Sequence, residues 1–516
     1  LNATSGRARP VQISGANLSL ATRICRFASI YRKTDWSSWR ELQGKPRSMT
    51  SANILICDFV GLRFGVDGNP DHSEVKAYIE ARGGVFHQTG IAKAGALDPG
   101  RLHFFYQPQL STRDELLAEA GDGRYDAVIA AATFIPAETR FRLGGVRIGA
   151  GTGNMGSASW GGGSGEGGEA PLMNTPGINS RATAQMAMKA LLKVRPDLPV
   201  DRLNALVAGG QFDTGKDLRH YPTEKLEGKR LAVIGYGNIG REFARLGQAF
   251  GMRVAIHARP RHRKWIELEG FDYAATMVDA ARGADALSVH LGLGAFDAGQ
   301  QRYANAGLIS DGVLCALNPG AVLINYDRGE LVDVAALERA LASGRVSHAA
   351  IDADLFNNGG TLSGPMLPYL RLIEAYSPQL ELLPHAAADT DHPSRVAGAK
   401  QAIDQIYAAV TEHRVYNLKG SLPPGFVDMG AKVPPGIGGI TPGQLAGLAD
   451  DQDAASDLAR SSAVVAGFWE RILAASEQER PALIASGGEA FAEAANRLST
   501  LLRRHHLAGP FTSGSL

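Results

Sequence analysis

The sequence predicts an α/β protein built on parallel sheets, with a doubly wound unit at its centre. Three observations lead there. The stretch from Lys229 to Arg259 passes from an apolar strand (Leu231 to Ile234) through the turn Gly235-Tyr236-Gly237-Asn238-Ile239-Gly240 into an amphipathic helix, then into a second apolar strand from Val254 to Ile256. Upstream, from Ile54 to Asn174, short apolar runs alternate with helical ones. Downstream the alternation continues through Ala286 to Leu291, Ala321 to Asn325, a helix from Val334 to Ser343 stopped by Gly344, and His348 to Ala353. Strands separated by helices at this interval argue for parallel pairing, because parallel strands need a crossover.

The glycine turn carries the first functional reading. Strand, turn, helix and strand within about thirty residues is the context in which GxGxxG signals dinucleotide binding. Gly235 permits the tight turn, Gly237 lets backbone approach a pyrophosphate, and Gly240 lets helix and strand pack together. The helix N-terminus, including Asn238 and Ile239, offers free N–H groups to phosphate oxygens.

Length and composition bound the rest. At 516 residues the chain exceeds one compact core, so two or more domains are expected. With 53 basic against 52 acidic residues, the net charge of +1 gives no global pull toward nucleic acid or an anionic membrane. Cys25, Cys57 and Cys315 are too far apart for a disulfide framework or a metal-ligand spacing, which points to a reducing, cytoplasmic setting. No apolar run approaches the ~18 residues of a membrane span, so a soluble protein is expected.

Taken in order, residues 1–48 are rich in arginine and poor in acids, with no sustained period. They read either as a transit peptide or as an over-extended gene start; Met49, the first methionine, stands just before the first strand and favours the second. The segment Gly144 to Gly168 is too rich in glycine for regular structure and has Trp160 as its one large side chain in the second half. It is either a loose surface insertion or a backbone-lined anion site followed by a mobile flap. Asn179 to Val194 predicts a long helix ended by Pro196 and Pro199. Phe356 to Leu383 is a weakly patterned connection, and Ala397 to Thr411 is helical again. Pro434 to Gly439 reads as a linker. Beyond it, Leu458, Val465, Phe468 and Ile472 share one helical face, as do Phe491, Leu498 and Leu502, and these faces need burial on the main body or a second subunit. His505-His506 reads as exposed tail with nothing near it to complete a metal site.

Five segments in order resemble the D-isomer-specific 2-hydroxyacid dehydrogenases over about residues 52–420. They are Asn174 to Asn179, Gly235 to Gly240, Asn318 to Gly329 with Val332-Asp333, Ala350-Ile351-Asp352, and Pro384-His385 with Thr390. The resemblance implies a Rossmann nucleotide-binding domain (173–383) inserted in a smaller flavodoxin-like substrate domain (49–172 and 384–433), with a linker and helical extension at 434–516. It further implies that Arg328 clamps a substrate carboxylate and that His385 exchanges a proton while hydride moves to or from nicotinamide. Asp352 would hold the nicotinamide amide, and Gly151 and Thr152 would turn N–H groups toward the carboxylate. A guanidinium gives a planar two-point grip, and an imidazole near neutral pKa both gives and takes a proton.

Two departures from the family pattern shape the expectation. Where relatives carry a glutamate partner for the histidine, this chain offers Asn357, with Asp354 or Asp389 as possible substitutes. Where NAD-preferring relatives end the second strand of the nucleotide domain with an acid, it has His257-Ala258-Arg259-Pro260-Arg261-His262-Arg263. A carboxylate there repels a 2′-phosphate and arginines attract one, so NADP is expected as preferred cofactor, with Arg259 the main contact and NAD usable. The expected protein is thus an NAD(P)-dependent oxidoreductase acting on a small 2-oxo or D-2-hydroxy acid, with no nucleic-acid, membrane or metal partner, and a homodimer. Two alternatives accompany it: a formate- or phosphite-type dehydrogenase, suggested by Asn357, and a nucleotide-sensing corepressor-like protein docking through its C-terminal helices.

Overall fold

The computed structural model describes residues 51–511 apart from 59–62, 65–69, 111, 194–197, 359, 387–390 and 435. The basic leader, Cys25, Met49, Val194, Pro196, Asp389, Thr390 and Pro435 lie outside the described residues.

The first sheet is built from β1 (Ala52–Cys57), β2 (Val85–His87), β3 (Leu102–Gln107), β4 (Ala127–Ala130), β5 (Gly144–Arg147) and β6 (Leu172–Asn174). Helices α1 (Ser73–Glu80) and α2 (Arg113–Ala120) supply two of the crossovers. The spatial order β2-β3-β1-β4-β5-β6 is parallel throughout and differs from the flavodoxin order by one strand, β3, interposed between β2 and β1. β1 pairs on both sides and is buried on both faces, which explains why Ile54-Leu55-Ile56 is a continuous apolar run.

After α3 (Ser180–Leu191) and α4 (Val200–Ala208) comes the second sheet. It comprises β7 (Arg230–Ile234), β8 (Arg253–His257), β9 (Asp272–Ala274), β10 (Ala286–Val289), β11 (Ala321–Asn325), β12 (Val346–Asp352) and β13 (Leu380–Leu383). Helix α5 (Asn238–Ala249) joins β7 to β8, and α6 (Val334–Ala342) joins β11 to β12. All seven strands are parallel, in the order β9-β8-β7-β10-β11-β12-β13. Strand order reverses between β7 and β10, and the crevice at that switch is where open α/β sheets bind ligands. One hydrophobic cluster lies on each face of this sheet, around Leu323 and Leu337 on one side and Val233 and Phe243 on the other.

The chain then returns to the first sheet. Helix α7 (His392–Tyr407) packs Ala399, Ile403 and Ile406 into the same cluster as Ile54 and Phe104, and β14 (Leu418–Lys419) pairs antiparallel with β6. The glycine-rich segment is pinned to this return. Gly167 N–H donates to Ser421 Oγ at 2.9 Å and Ser421 N–H to the Gly165 carbonyl at 3.0 Å. Trp160 is fully buried, with its Nε1–H bonded to the Met155 carbonyl at 2.8 Å and its ring stacked on Phe141. The expected loose or mobile flap is therefore a packed element: the one large side chain in a run of glycines is its anchor.

Helices α8 (Pro442–Asp450), α9 (Gln452–Ala474) and α10 (Arg480–Arg504) follow. The apolar faces of α9 and α10 are buried on each other, Phe468 stacking on Phe491 with ring centroids 4.7 Å apart. The expectation that these faces need the main body or a second subunit gives way to a helical hairpin that supplies its own partner. His505 and His506 are half-buried rather than an exposed tail. No described helix is long and apolar enough to cross a membrane, and no metal-ligand cluster occurs among the described residues.

Candidate active site

The three glycines of the turn are each required for a different steric reason. Gly235 has φ of +111°, and a Cβ there would lie 2.1 Å from the His290 carbonyl oxygen. At Gly240 a Cβ would meet the Gly235 carbonyl at 2.3 Å, so helix and strand close up only on glycine. Gly237 is the opposite case: it is exposed, and a Cβ would find nothing within 4 Å. The open space lies in front of the first N–H groups of α5, at Asn238, Ile239 and Gly240, which have no acceptor within the helix. These residues fit a dinucleotide pyrophosphate: an anion can approach backbone to contact distance where a side chain would stand.

A second group gathers at the C-terminal ends of β11, β12 and β13. Asn325 closes β11, and its Nδ2–H donates to the Arg328 carbonyl at 2.8 Å, bending the chain so that Arg328 leaves the sheet edge. The Tyr369 hydroxyl braces the same turn through the Gly329 carbonyl at 2.6 Å. Asp352 ends β12 fully buried and accepts from Ala386 N–H at 2.7 Å, fixing the segment that follows β13. His385 in that segment has φ of +56°, a region rarely entered by non-glycine residues and one that gathers at functional sites.

These restraints bring Arg328 and His385 together, with Arg328 Nη1 3.1 Å from His385 Nε2. The guanidinium is always a donor, so Nε2 is the acceptor and the ring proton sits on Nδ1. Nδ1 faces Asp352, whose Oδ2 is 3.9 Å away, beyond hydrogen-bond range. A ring nitrogen turned to a guanidinium on one side and a carboxylate behind the other is an arrangement able to serve general acid–base chemistry.

Gly151 completes the group. The Asn174 Nδ2–H donates to the Ala150 carbonyl at 2.7 Å, and Gly149 N–H donates to Thr175 Oγ1 at 2.8 Å, so the Asn-Thr-Pro-Gly run holds the glycine loop. Gly151 is exposed, and a Cβ on it would stand 3.0 Å from Arg328 Nη2. Thr152 is buried, and its hydroxyl is spent on the Gly163 carbonyl at 2.6 Å, which leaves only its backbone for a ligand.

Not every expected residue arrives. Asn357 lies exposed on a hairpin, Phe356–Asn358 paired with Thr361–Ser363, and its Oδ1 accepts from Gly360 N–H at 2.8 Å. It caps that turn; among the described residues the carboxylate that faces Nδ1 of His385 is Asp352. Sequence spacing misled because the segment after Asp352 turns away as a hairpin. Two residues not anticipated join the site. Burial pushes the Asp327 carboxyl up to about 6, against the opposing pull of Arg328 and His385. His290, behind the glycine turn, is held neutral by burial, its pKa lowered to about 3, with Nε2 2.8 Å from Ser288 Oγ. A carboxylate placed directly before Arg328 in the sequence was the available signal for the first.

At the end of β8, Ala258 is buried and Arg259 is exposed, with no carboxylate paired to it among the described residues. Glu267 is bonded to Arg263 at 2.8 Å, and Glu269 to Arg241 at 2.7 Å, so both nearby acids are already paired with arginines.

Residues 199–386 match the family model described as D-isomer specific 2-hydroxyacid dehydrogenase, NAD binding domain. Glyoxylate reductase of Aeropyrum pernix is 29% identical over 258 residues, 50% of this chain and 69% of that protein. Glyoxylate reductase of Thermococcus litoralis is 30% identical over 35% of this chain and 52% of its own length. For 4-methyl-2-oxopentanoate reductase A of Aspergillus oryzae the figures are 30%, 42% and 59%. The chain thus spans between about half and two thirds of these relatives. Among solved structures, D-2-hydroxyisocaproate dehydrogenase aligns at 16% identity with a TM-score of 0.46, over 70% of this chain and 97% of that one. The NADPH-dependent glyoxylate/hydroxypyruvate reductase of Sinorhizobium meliloti aligns at 20% with a TM-score of 0.44, over 71% and 97%. Residues 199–386 are therefore similar to the NAD-binding domain of the D-isomer-specific 2-hydroxyacid dehydrogenases, and the relatives that the chain resembles are named as reductases and dehydrogenases of that kind.

Proposed function

We propose that the protein is an NADP-preferring reductase of a small 2-oxo acid, or dehydrogenase of the corresponding D-2-hydroxy acid. The observation that carries this is the convergence of Arg328 and His385, at the C-terminal ends of strands in the second sheet, with the open backbone of Gly151, which follows β5 of the first sheet; the glycine turn follows β7 at the C-terminal end of the same second sheet. The bound nicotinamide supplies or accepts the hydride. Arg328 grips the substrate carboxylate through two N–H groups, with the N–H groups of Gly151 and Thr152 on the other side. That grip draws Arg328 away from Nε2 of His385, which then delivers a proton to the substrate oxygen or removes it. Asp352, behind Nδ1, steadies the imidazolium in place of the family's glutamate. The domain division proposed is a substrate domain of 49–172 and 384–433 around a nucleotide domain of 173–383, with an extension at 434–516. The formate- or phosphite-type alternative rested on Asn357, which stands on an exposed hairpin away from the histidine.

The preference for NADP rests on Arg259, an exposed cation directly after β8 with no acid beside it. Oxidation of NADPH and of NADH measured against a panel of 2-oxo acids tests the reading. Steady turnover with one of them, and a kcat/KM at least about tenfold higher with NADPH, is expected; Arg259→Ser should erase most of that ratio, since loss of one charged hydrogen bond is worth about 1.5–3 kcal/mol. Equal or better use of NADH by the wild type overturns the preference, and no turnover with any 2-oxo acid overturns the activity.

We also propose a homodimer. Helix α4 and the turns after it, through His220, have no buried residue, and Val200, Val207 and Leu218 are exposed. A nine-residue helix with no fully buried residue is marginal in water, so a second copy is expected to cover its exposed face. Light scattering on the purified protein should give twice the chain mass, with Val207→Glu monomeric; a monomeric wild type overturns it.

A further inference from the structure

The linker and helical extension lie beyond the part of the chain that resembles the family, yet their two ends meet on the dinucleotide helix. Ile440 N–H donates to the Pro510 carbonyl at 2.7 Å, so the strands entering and leaving the helical hairpin run side by side. Arg241, on the second turn of α5 in sequence count from Gly237, is the clamp that receives both. Its guanidinium is buried; Nη1 donates to the Gly438 carbonyl and Nη2 to the Ala508 carbonyl at 2.9 Å, while Nε bonds Glu269 at 2.7 Å. Arg245 adds a second donor to Glu269 at 3.2 Å and to the Ala508 carbonyl at 3.3 Å, and the Tyr236 hydroxyl also donates to Glu269. Gly509 fits only as glycine, because a Cβ there would fall on the Arg241 guanidinium. A buried ion pair is tolerated when its remaining donors are all satisfied, and here the satisfying acceptors come from the extension.

The clamp sets where the linker runs. Ile437 is buried, and its Cγ2 together with Asn238 Nδ2 and Pro434 Cδ closes around Gly177, where a Cβ would meet them at 2.7, 3.1 and 3.4 Å. Asn238 is the first residue of α5, next to the open Gly237; Gly177 opens the first connection between the two sheets. The linker therefore forms a wall at the edge of the pyrophosphate turn and touches the junction of the two domains at the same point. Resting on the dinucleotide reading above, we propose that the C-terminal extension is a structural part of the cofactor site, a strap held by Arg241 that positions Asn238 and retards release of the dinucleotide. Arg241 is a positioning residue in this scheme.

The test is dissociation of NADPH from the full chain, by fluorescence titration and stopped flow, with hydrogen exchange over residues 433–440 in the presence and absence of NADPH. Ile437→Ala leaves the Arg241–Glu269 pair intact and loosens only the wall; Arg241→Met removes the clamp. Each is expected to raise Kd for NADPH roughly five- to tenfold, mostly through faster release, and NADPH is expected to slow exchange around Ile437 in the wild type. Circular dichroism melts identify a variant that fails to fold, in which case Ile437→Ala alone decides. Folded variants that bind with wild-type Kd, with no NADPH-dependent protection around Ile437, overturn the strap while leaving the dinucleotide site standing. A wild type that binds neither NADPH nor NADH overturns both.

Discussion

His385→Ala is expected to lower kcat by about 10²–10⁴-fold while leaving the Kd for NADPH within about twofold of wild type. The asymmetry follows from where the ring sits. Nε2 points at Arg328 and hence at the place of a bound carboxylate, whereas the glycine turn that would hold the dinucleotide is on another strand end, after β7. No pyrophosphate contact depends on the imidazole. Asp352→Asn should give a smaller loss, because an amide still accepts from Ala386 N–H and keeps the segment in place but no longer balances an imidazolium. Asn357→Ala is the control: its side chain caps an exposed turn, so wild-type turnover is expected. Single-turnover kinetics with a 2-oxo acid separate the cases. His385→Ala at wild-type rate would remove the proton-transfer role, and Asn357→Ala falling as far as Asp352→Asn would restore the amide as partner.

The parts of this molecule that were legible in the sequence are those where one local rule dominates. The glycine turn is such a place, because each of Gly235, Gly237 and Gly240 answers to a separate steric demand within one turn of chain. The parallel sheets were legible for a related reason: strands buried on both faces must be apolar throughout, as Ile54-Leu55-Ile56 and Val322-Leu323-Ile324 are. What failed depended on contacts between distant segments. Trp160 looked like the sole bulk in a floppy run, and only its seat against Phe141 and Met155 reveals the segment as packed. Asn357 stood at a plausible distance from Asp352 along the chain, but a hairpin carries it outward. Arg241 could have been any surface arginine of an amphipathic helix; its role is defined by carbonyls almost two hundred and more residues away, at Gly438 and Ala508. Backbone acceptors have no sequence signature, so such a lock cannot be read from residue types.

Arg328→Gln is expected to cut kcat/KM for the 2-oxo acid about 100- to 1,000-fold, chiefly through KM, since two charge-assisted hydrogen bonds to a carboxylate are lost together. Asp327→Asn should act in the opposite sense on KM, and the reason lies in its titration. Burial lifts this carboxyl to about 6 although Arg328 and His385 both favour its charged form. Above that pH the group is an anion beside the guanidinium and competes with the substrate for it; below, it is neutral and the guanidinium is free. KM of the wild type is therefore expected to fall as pH drops through about 6, and that inflection should be absent in Asp327→Asn, whose KM stays low at neutral pH. The same shift has a consequence for stability with a definite sign. A folded-state value above the unfolded one means the folded chain holds the extra proton between about pH 4 and 6, so this group's contribution declines as pH rises through that window and remains a cost above it. Asp327→Asn should accordingly melt higher than wild type at pH 7.5 and lose that advantage near pH 4. His385 feels the same charge. Removing it takes an anion away from the imidazolium, so kcat for reduction should fall modestly in Asp327→Asn even as KM improves. A variant in which kcat and KM both keep the wild-type pH profile would show that Asp327 faces neither group, and the electrostatic account of the site would have to rest on Arg328, His385 and Asp352 alone.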